Sequence, residues 1–558
     1  MTKSAKQPCG CARSRNTRGL FAVAWPFTIP SGVVTTAAPV LARIAREVKE
    51  IGFLTTKTLS LDPRPGYREP IIHEYHPGCF INAVGLANPG ASQFADAMKP
   101  LLPLHDGKPL LVSIMGSDPE EFLECAAILD DVADAFELNL SCPHVKGAGQ
   151  SVGSDPRMVE KIVRLLRTSF KKPIIPKLSP NIANIVEMAK ICEKAGASGL
   201  ALINTVGPGT SVDDDGNPVL SNVVGGLSGV AIKPIGLKLV REVSAEVSLP
   251  IIASGGIASP NDVEAYRKAG ATYFAVGSSL AGMSTTEIKK FFKWIAGTNA
   301  SRKSISKKQA RRRTGSLTNY ARTKVVSNNL ISSNMFRLEL EEGPRCEPGQ
   351  FFFLRIPDYG EKPFSPFQDA RPVYLIRSVG PFTEKLSTLE KGDSIYLRGP
   401  YGNGFKPPGE LEKIIVLGGG TGAAPILMAA ARWRANVIRT FIGFSQPVQD
   451  WFMDEIQSMI SLAQITIDAP GQVGAVIELI DRELSAVFTS LENTKAYICG
   501  PATMMNRAGA LFARFLESKD IYIAREDIMK CGIGLCGSCG TEKGLRSCID
   551  GPVFRLND

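Results

Sequence analysis

Apolar and polar positions change their rhythm twice along this chain. From about Gly19 to Gly297, short β-branched apolar runs alternate with stretches whose apolar residues recur every three to four positions. The runs Pro109–Ile114, Ala135–Leu140, Pro173–Lys177, Leu200–Asn204, Pro250–Ser254 and Tyr273–Val276 read as strands. Asp155–Phe170, Asn184–Ala195, Lys233–Val247 and Ser259–Ala269 read as helices. Such repeated units predict a parallel (β/α)8 TIM barrel, an α/β fold whose chemistry sits where strands run into loops. Between Thr318 and Leu397 the period shortens to two, with Pro and Gly turns, and predicts a small antiparallel β-barrel. From Lys413 a second α/β unit opens and runs to about Glu517, and a cysteine-rich tail follows. The expected division is 1–299 barrel, 300–316 linker, 317–408 antiparallel barrel, 409–517 nucleotide-binding lobe and 518–558 cysteine domain.

Composition narrows the class. The chain has 558 residues, 44% hydrophobic and 21% charged, which fits several globular domains and excludes wholesale disorder. The longest membrane-helix candidate, Ile414 to Ala431, is interrupted by Gly418, Gly419, Gly420 and Gly422, so no membrane span is expected and a cytoplasmic location is. The net charge of +10 is local: Arg302, Lys303, Lys307, Lys308, Arg311, Arg312, Arg313, Arg322 and Lys324 supply nine charges, and no acid lies between Glu287 and Glu339. This block reads as a solvated tether, with an acidic partner or nucleic acid as the other reading. The rest is near neutral, and no nucleic-acid partner is expected. The N-terminus, acid-free before Glu47, reads as a frayed basic end.

Candidate chemistry gathers at predicted strand ends. Asn139 and Cys142 follow one strand; a thiol there is a nucleophile, a base or an inert buried group. Lys177 and Asn204 end two others, and an ammonium inside Pro-Ile-Ile-Pro-Lys-Leu suits an interior cation better than a surface one. Gly255-Gly256 and Gly277-Ser278 follow late strands, where backbone N–H groups suit a phosphate.

Together with Pro30-Ser-Gly32, Lys57-Thr58, Pro63-Arg-Pro-Gly66, Asn82 to Gly90, Asn139-Leu-Ser-Cys-Pro143, Pro176-Lys-Leu-Ser-Pro180, Ile203-Asn-Thr205 and Gly225 to Gly229, these residues resemble the class 1 dihydroorotate dehydrogenases over nearly all of 30–278. The resemblance implies an FMN barrel in which Cys142 takes a proton from dihydroorotate while hydride leaves for the flavin. It implies that Asn82, Ala83, Val84, Gly85 and Leu86 hold the substrate carboxylate, that Asn139, Asn204 and Thr205 bond the ring amides, and that Lys57 touches both substrate and FMN. Lys177 would stabilise the reduced flavin. Ser31, Thr58, Asn139, Ile203, Gly229, Gly255, Gly256, Gly277 and Ser278 carry over as FMN contacts. Association of copies through the barrel is implied as well. Two departures stand out: His144 where many members have Asn, and Tyr67 where many have Asn after Gly66. The Ser-Cys-Pro-His run also resembles the dihydropyrimidine dehydrogenases, which act on uracil and thymine. A non-catalytic flavin module is the third reading.

The tail spacing Cys531-x4-Cys536-x2-Cys539-x8-Cys548 matches plant-type 2Fe–2S sites better than a zinc site, whose usual paired CxxC does not fit. Lys362-Pro363-Phe364-Ser365, Leu375-Ile376-Arg377 and Thr383 resemble the FAD-binding segments of the ferredoxin-reductase family, with Lys362 in place of Arg and Pro381-Phe382 where a second Gly is usual. Gly418, Gly419, Gly420, Thr421 and Gly422 end a predicted strand and open a helix, a pyrophosphate cradle. The resemblance pairs them with Cys499, Gly500 and Pro501 as an NAD site. The order of parts resembles the electron-transfer subunit of NAD-dependent dihydroorotate dehydrogenases. It implies a fusion that carries electrons from FMN through 2Fe–2S and FAD to NAD.

Overall fold

The computed structural model describes residues 19–141, 152–297, 316–368, 371–460, 463–468, 474–487 and 491–558. Cys142, His144, the basic N-terminus and the linker core 300–315 lie outside the described residues.

Eight parallel strands form the barrel: Phe27–Thr28, Leu54–Thr55, Leu110–Ile114, Ala135–Asn139, Ile174–Leu178, Leu200–Leu202, Ile251–Ala253 and Tyr273–Ala275. The ring closes where the Gly52 N–H donates to Phe27 O at 2.9 Å and Phe27 bridges Ile51. The first two strands are two residues long, too short to leave a periodic trace in the sequence. The helices between strands start on polar caps. Asp155, Asn184 and Ser259 accept from the N–H groups of Arg157, Glu187 and Asp262, and Ser284 with Glu287 forms a capping box. Each cap contributes about 1 kcal/mol.

Two excursions beyond barrel strands build an antiparallel sheet at the mouth, from Ile72–His76, Cys79–Asn82, Val224–Gly229 and Val206–Thr210. Its second half, Val206-Gly-Pro-Gly-Thr210 and Val224-Gly-Gly-Leu-Ser-Gly229, is too poor in apolar residues to announce a strand. The sheet's close approaches explain the glycines: a Cβ on Gly226 would lie 2.2 Å from the Thr205 hydroxyl.

The second half of the chain holds a seven-stranded antiparallel sheet spanning residues 321–401 and a six-stranded sheet spanning 413–555. The last two strands of the latter are Ile521–Ala524 and Val553–Arg555, paired antiparallel. The cysteine segment is therefore a long loop slung between two strands of the nucleotide-type lobe. It does not pack on that lobe alone. Cys531, Ile533, Leu535 and Cys536 belong to the barrel's own apolar core.

Where the halves meet, buried Arg355 pairs with Asp213 at 2.8 Å and donates to Pro218 O, and Lys362 pairs with Glu69 at 2.9 Å. His73 Nδ1 lies 3.1 Å from the Thr318 hydroxyl. Burial, then Arg398 and Arg355, pull the His73 pKa down to about 4. The unfolded chain, with an ordinary histidine near 6.5, binds the extra proton first, so the stability from neutral His73 falls as pH drops from about 6.5 toward 4. Thermal unfolding at pH 7.5 and pH 5 should differ less for His73→Gln than for the unaltered chain. An unchanged difference would contradict this role.

Candidate active site

The barrel mouth opens into a cavity of about 670 Å³. Every barrel residue assigned above to catalysis, substrate or FMN lines it except Cys142, which, like His144, lies outside the described residues. Last-strand loops form one wall. Gly255 and Gly256 have φ of +115° and +69°, and a Cβ on Gly256 would come within 2.8 Å of Gly229 O. Only glycine permits that approach, and it leaves a shallow backbone cradle suited to a phosphate.

A chain of side-chain hydrogen bonds crosses the floor. Thr58 Oγ1 lies 2.8 Å from Ser31 Oγ and 3.0 Å from Ser113 Oγ, and accepts from Asn139 Nδ2 at 3.1 Å. Ser113 donates to Glu137, whose carboxylate lies 3.6 Å from the Lys177 ammonium. On the other side Asn204 Nδ2 donates to Ser141 Oγ at 2.6 Å, and Ser141 donates to Asn139 Oδ1 at 2.7 Å. Asn139 and Asn204 are thus held in fixed orientation. Burial pulls the Lys57 pKa down to about 8, with Cys536 pushing it back up and Lys177 pushing it down.

Sequence reasoning missed Ser113, Glu137 and Ser141, and also Asn88. Asn88 braces the 82–90 loop through Leu86 O, the Gly90 N–H and Ser60. Glu137 had a signal: a lone carboxylate inside the apolar run Ala135-Phe-Glu-Leu-Asn139, buried to 3% exposure. Glu137→Leu would strand the buried Lys177 charge. It should cost about 3 kcal/mol of stability, read as a fall in thermal midpoint; an unchanged midpoint would show that the pair is not needed.

The cysteine loop forms the remaining wall. Leu535 and Cys536 line the cavity, Val34 N–H donates to Leu535 O at 2.7 Å, and Thr36 donates to Cys536 O at 2.6 Å. The four thiols of Cys531, Cys536, Cys539 and Cys548 are buried together. The Cys539 and Cys548 sulfurs are 3.3 Å apart, and Cys536 N–H lies 3.5 Å from the Cys531 sulfur. Hydrogen bonds from the Cys536 and Cys548 thiols hold the Cys531 pKa well below the usual thiol range. Buried, convergent thiols on a glycine-rich loop fit an iron–sulfur cluster.

In the second half, Lys362 to Ser365 form a half-buried edge, and the Phe364 ring stacks on Phe382 with centroids 6.5 Å apart. The Lys362 ammonium is turned to Glu69 of the barrel. Thr383 Oγ1 accepts from the Val379 and Gly380 N–H groups and so closes its own turn. Leu375 and Ile376 are buried in their strand, while Arg377 reaches the glycine turn: a Cβ on Gly420 would lie 3.0 Å from Arg377 Nη2. The Gly418–Gly422 and Cys499–Pro501 loops touch, since a Cβ on Gly422 would fall 2.6 Å from Gly500 Cα. Burial pushes the Cys499 thiol up to about 12, so it stays protonated.

A parallel barrel whose mouth brings together a glycine-rich backbone cradle, buried lysines and a four-thiol loop fits an α/β-barrel oxidoreductase. Residues 21–294 match the model of the dihydroorotate dehydrogenase family, and residues 526–558 match that of the iron–sulfur cluster binding domain of dihydroorotate dehydrogenase B. The catalytic subunit of dihydroorotate dehydrogenase B (NAD(+)) from Methanothermobacter thermautotrophicus is 40% identical over 257 residues, 46% of this chain and 83% of that protein. The counterpart from Thermoplasma acidophilum is 44% identical over 229 residues, 41% of this chain and 74% of that protein. The chain belongs to the dihydroorotate dehydrogenase family. Among the described residues no helix is long and apolar enough to cross a membrane.

Proposed function

We propose that this chain oxidises dihydroorotate to orotate, a step of pyrimidine biosynthesis, and passes the electrons to NAD through its own second half. The observation that supports this most is that one cavity is lined both by the barrel's polar set and by Cys536 of the thiol loop. Dihydroorotate must lose two hydrogens from neighbouring ring carbons, one as a proton and one as hydride. Bound FMN supplies the hydride acceptor, a 2Fe–2S cluster the one-electron carrier, and FAD the regrouping of electrons for NAD.

The chain's residues do the rest. The Cys142 sulfur takes the proton. The Asn82–Leu86 backbone and Lys57 hold the carboxylate, and Asn139, Asn204 and Thr205 bond the ring amides, so analogues lacking these groups leave buried polar atoms unpaired. Lys177, held by Glu137, would offer the bound flavin a positive charge that favours its reduced form. Ser31, Thr58, Ile203 and the glycines of the cradle hold FMN. Pro363, Phe364 and Ser365 offer a flavin surface, and Arg377 the cation for a pyrophosphate, because Lys362 is engaged by Glu69. Gly418–Gly422 and Cys499–Pro501, which touch each other, would hold the nicotinamide nucleotide.

NAD reduction driven by dihydroorotate should exceed that driven by dihydrouracil by about 10³-fold or more, the discrimination expected of a site built to bond a missing group. Equal or faster turnover of dihydrouracil would overturn the assignment.

A further inference from the structure

Arg398 and Glu361 are among the most deeply buried charges of the protein, 1% and 0% exposed, and neither has a place in the sites above. Their contact is bidentate: Arg398 Nε donates to Glu361 Oε2 at 2.8 Å and Nη2 to Oε1 at 2.5 Å. A phenol–carboxylate bond, from Tyr320 at 2.6 Å, also ties down Glu361. The guanidinium lies over the Phe353 ring, 3.9 Å from its centroid. Its remaining arm, Nη1, donates to Tyr401 Oη at 3.0 Å and to the carbonyl oxygen of Cys531 at 2.9 Å. The Cys531–Gly532 turn is shaped to admit it. Gly532 has φ of +75°, and a Cβ there would come within 2.8 Å of Phe353 and 3.3 Å of Arg398 Nη1.

An ion pair removed from water this completely does not hold a fold cheaply; replacing such pairs by apolar residues is often neutral or stabilising. What this pair has instead is orientation. Its positive end faces the first cysteine of the four-thiol loop and its negative end faces away, toward Tyr320. We infer that Arg398 and Glu361 are positioning residues that set the reduction potential of the cluster held by the four cysteines, Arg398 raising it and Glu361 restraining that rise. The inference rests on the proposed 2Fe–2S site. One-electron reduction, with the electron delivered from the barrel flavin, adds one negative charge to the cluster. A fixed cation bonded to the Cys531 carbonyl stabilises that charge, and buried surroundings screen it little.

The signs make the test decisive. The full-length holoenzyme is titrated with a chemical reductant under anaerobic conditions, and the reduced cluster is counted by electron paramagnetic resonance. Glu361→Gln leaves the guanidinium uncompensated, because Arg cannot lose its proton, and the midpoint should rise. Arg398→Gln removes the cation and the midpoint should fall. Arg398→Lys keeps the charge but loses the fork, so its midpoint should stay nearer that of the unaltered protein than that of Arg398→Gln. A purely structural role would shift Arg398→Lys as far as Arg398→Gln and would give Glu361→Gln no upward shift; either outcome overturns the inference. If Arg398→Gln does not fold, the near-isosteric Glu361→Gln decides by the direction of its shift. An unaltered holoenzyme without any cluster signal would instead overturn the 2Fe–2S assignment itself.

Discussion

Replacing Cys142 by alanine should slow dihydroorotate oxidation about 10³-fold, the usual loss when a positioned base is removed. The FMN spectrum should stay unchanged. Oxidation of NADH with an artificial acceptor should persist, because the residues proposed to hold FAD and NAD, Pro363 to Ser365, Arg377, Gly418–Gly422 and Cys499–Pro501, all lie in the second half. In the proposed site Asn139, Asn204, Lys57 and Lys177 would fix and polarise a ring; among the described residues Lys57 and Lys177 are the only lysines lining the cavity, and Glu137 is committed to Lys177. Loss of both activities with FMN and fold intact would show that Cys142 is not the base.

Cys536→Ser should separate the two halves electrically. Cys536 lines the barrel cavity and is one of the four convergent thiols, so losing it removes a ligand at the point where the loop meets the flavin site. Changing groups one shell further out already costs 10- to 100-fold in metal affinity, so NAD-linked turnover should fall by at least about a hundredfold. Dihydroorotate should still bleach the barrel flavin in a single turnover. Retention of full NAD-linked turnover would show that electrons leave the barrel by another route.

Local signals carried much of this into view from sequence alone. The strands Leu110–Ile114 and Ala135–Asn139 are mainly apolar runs buried on both faces, and the thiol spacing is a local loop property. The residues that escaped owe their roles to distant partners. Ser113 and Glu137 gain theirs by meeting Thr58 and Lys177 across neighbouring strands, and no local spacing records that. The seam is an extreme case: Arg355 meets Asp213 and Arg398 meets the Cys531 carbonyl over more than a hundred residues of chain. Lys362 read as a weakened cofactor contact, and only the fold brings Glu69 to it. The antiparallel sheet at the mouth was hidden for the opposite reason, since its glycines serve close approach rather than propensity.

Anaerobic titration of the full chain with dihydroorotate, followed together by flavin absorbance and electron paramagnetic resonance, reaches the heart of the assignment. Two flavins should bleach, and a single reduced iron–sulfur signal should grow in parallel, with dihydrouracil producing neither. Bleaching by dihydrouracil alone, or flavin reduction that never populates the cluster, would contradict a dihydroorotate site wired through the Cys536 loop.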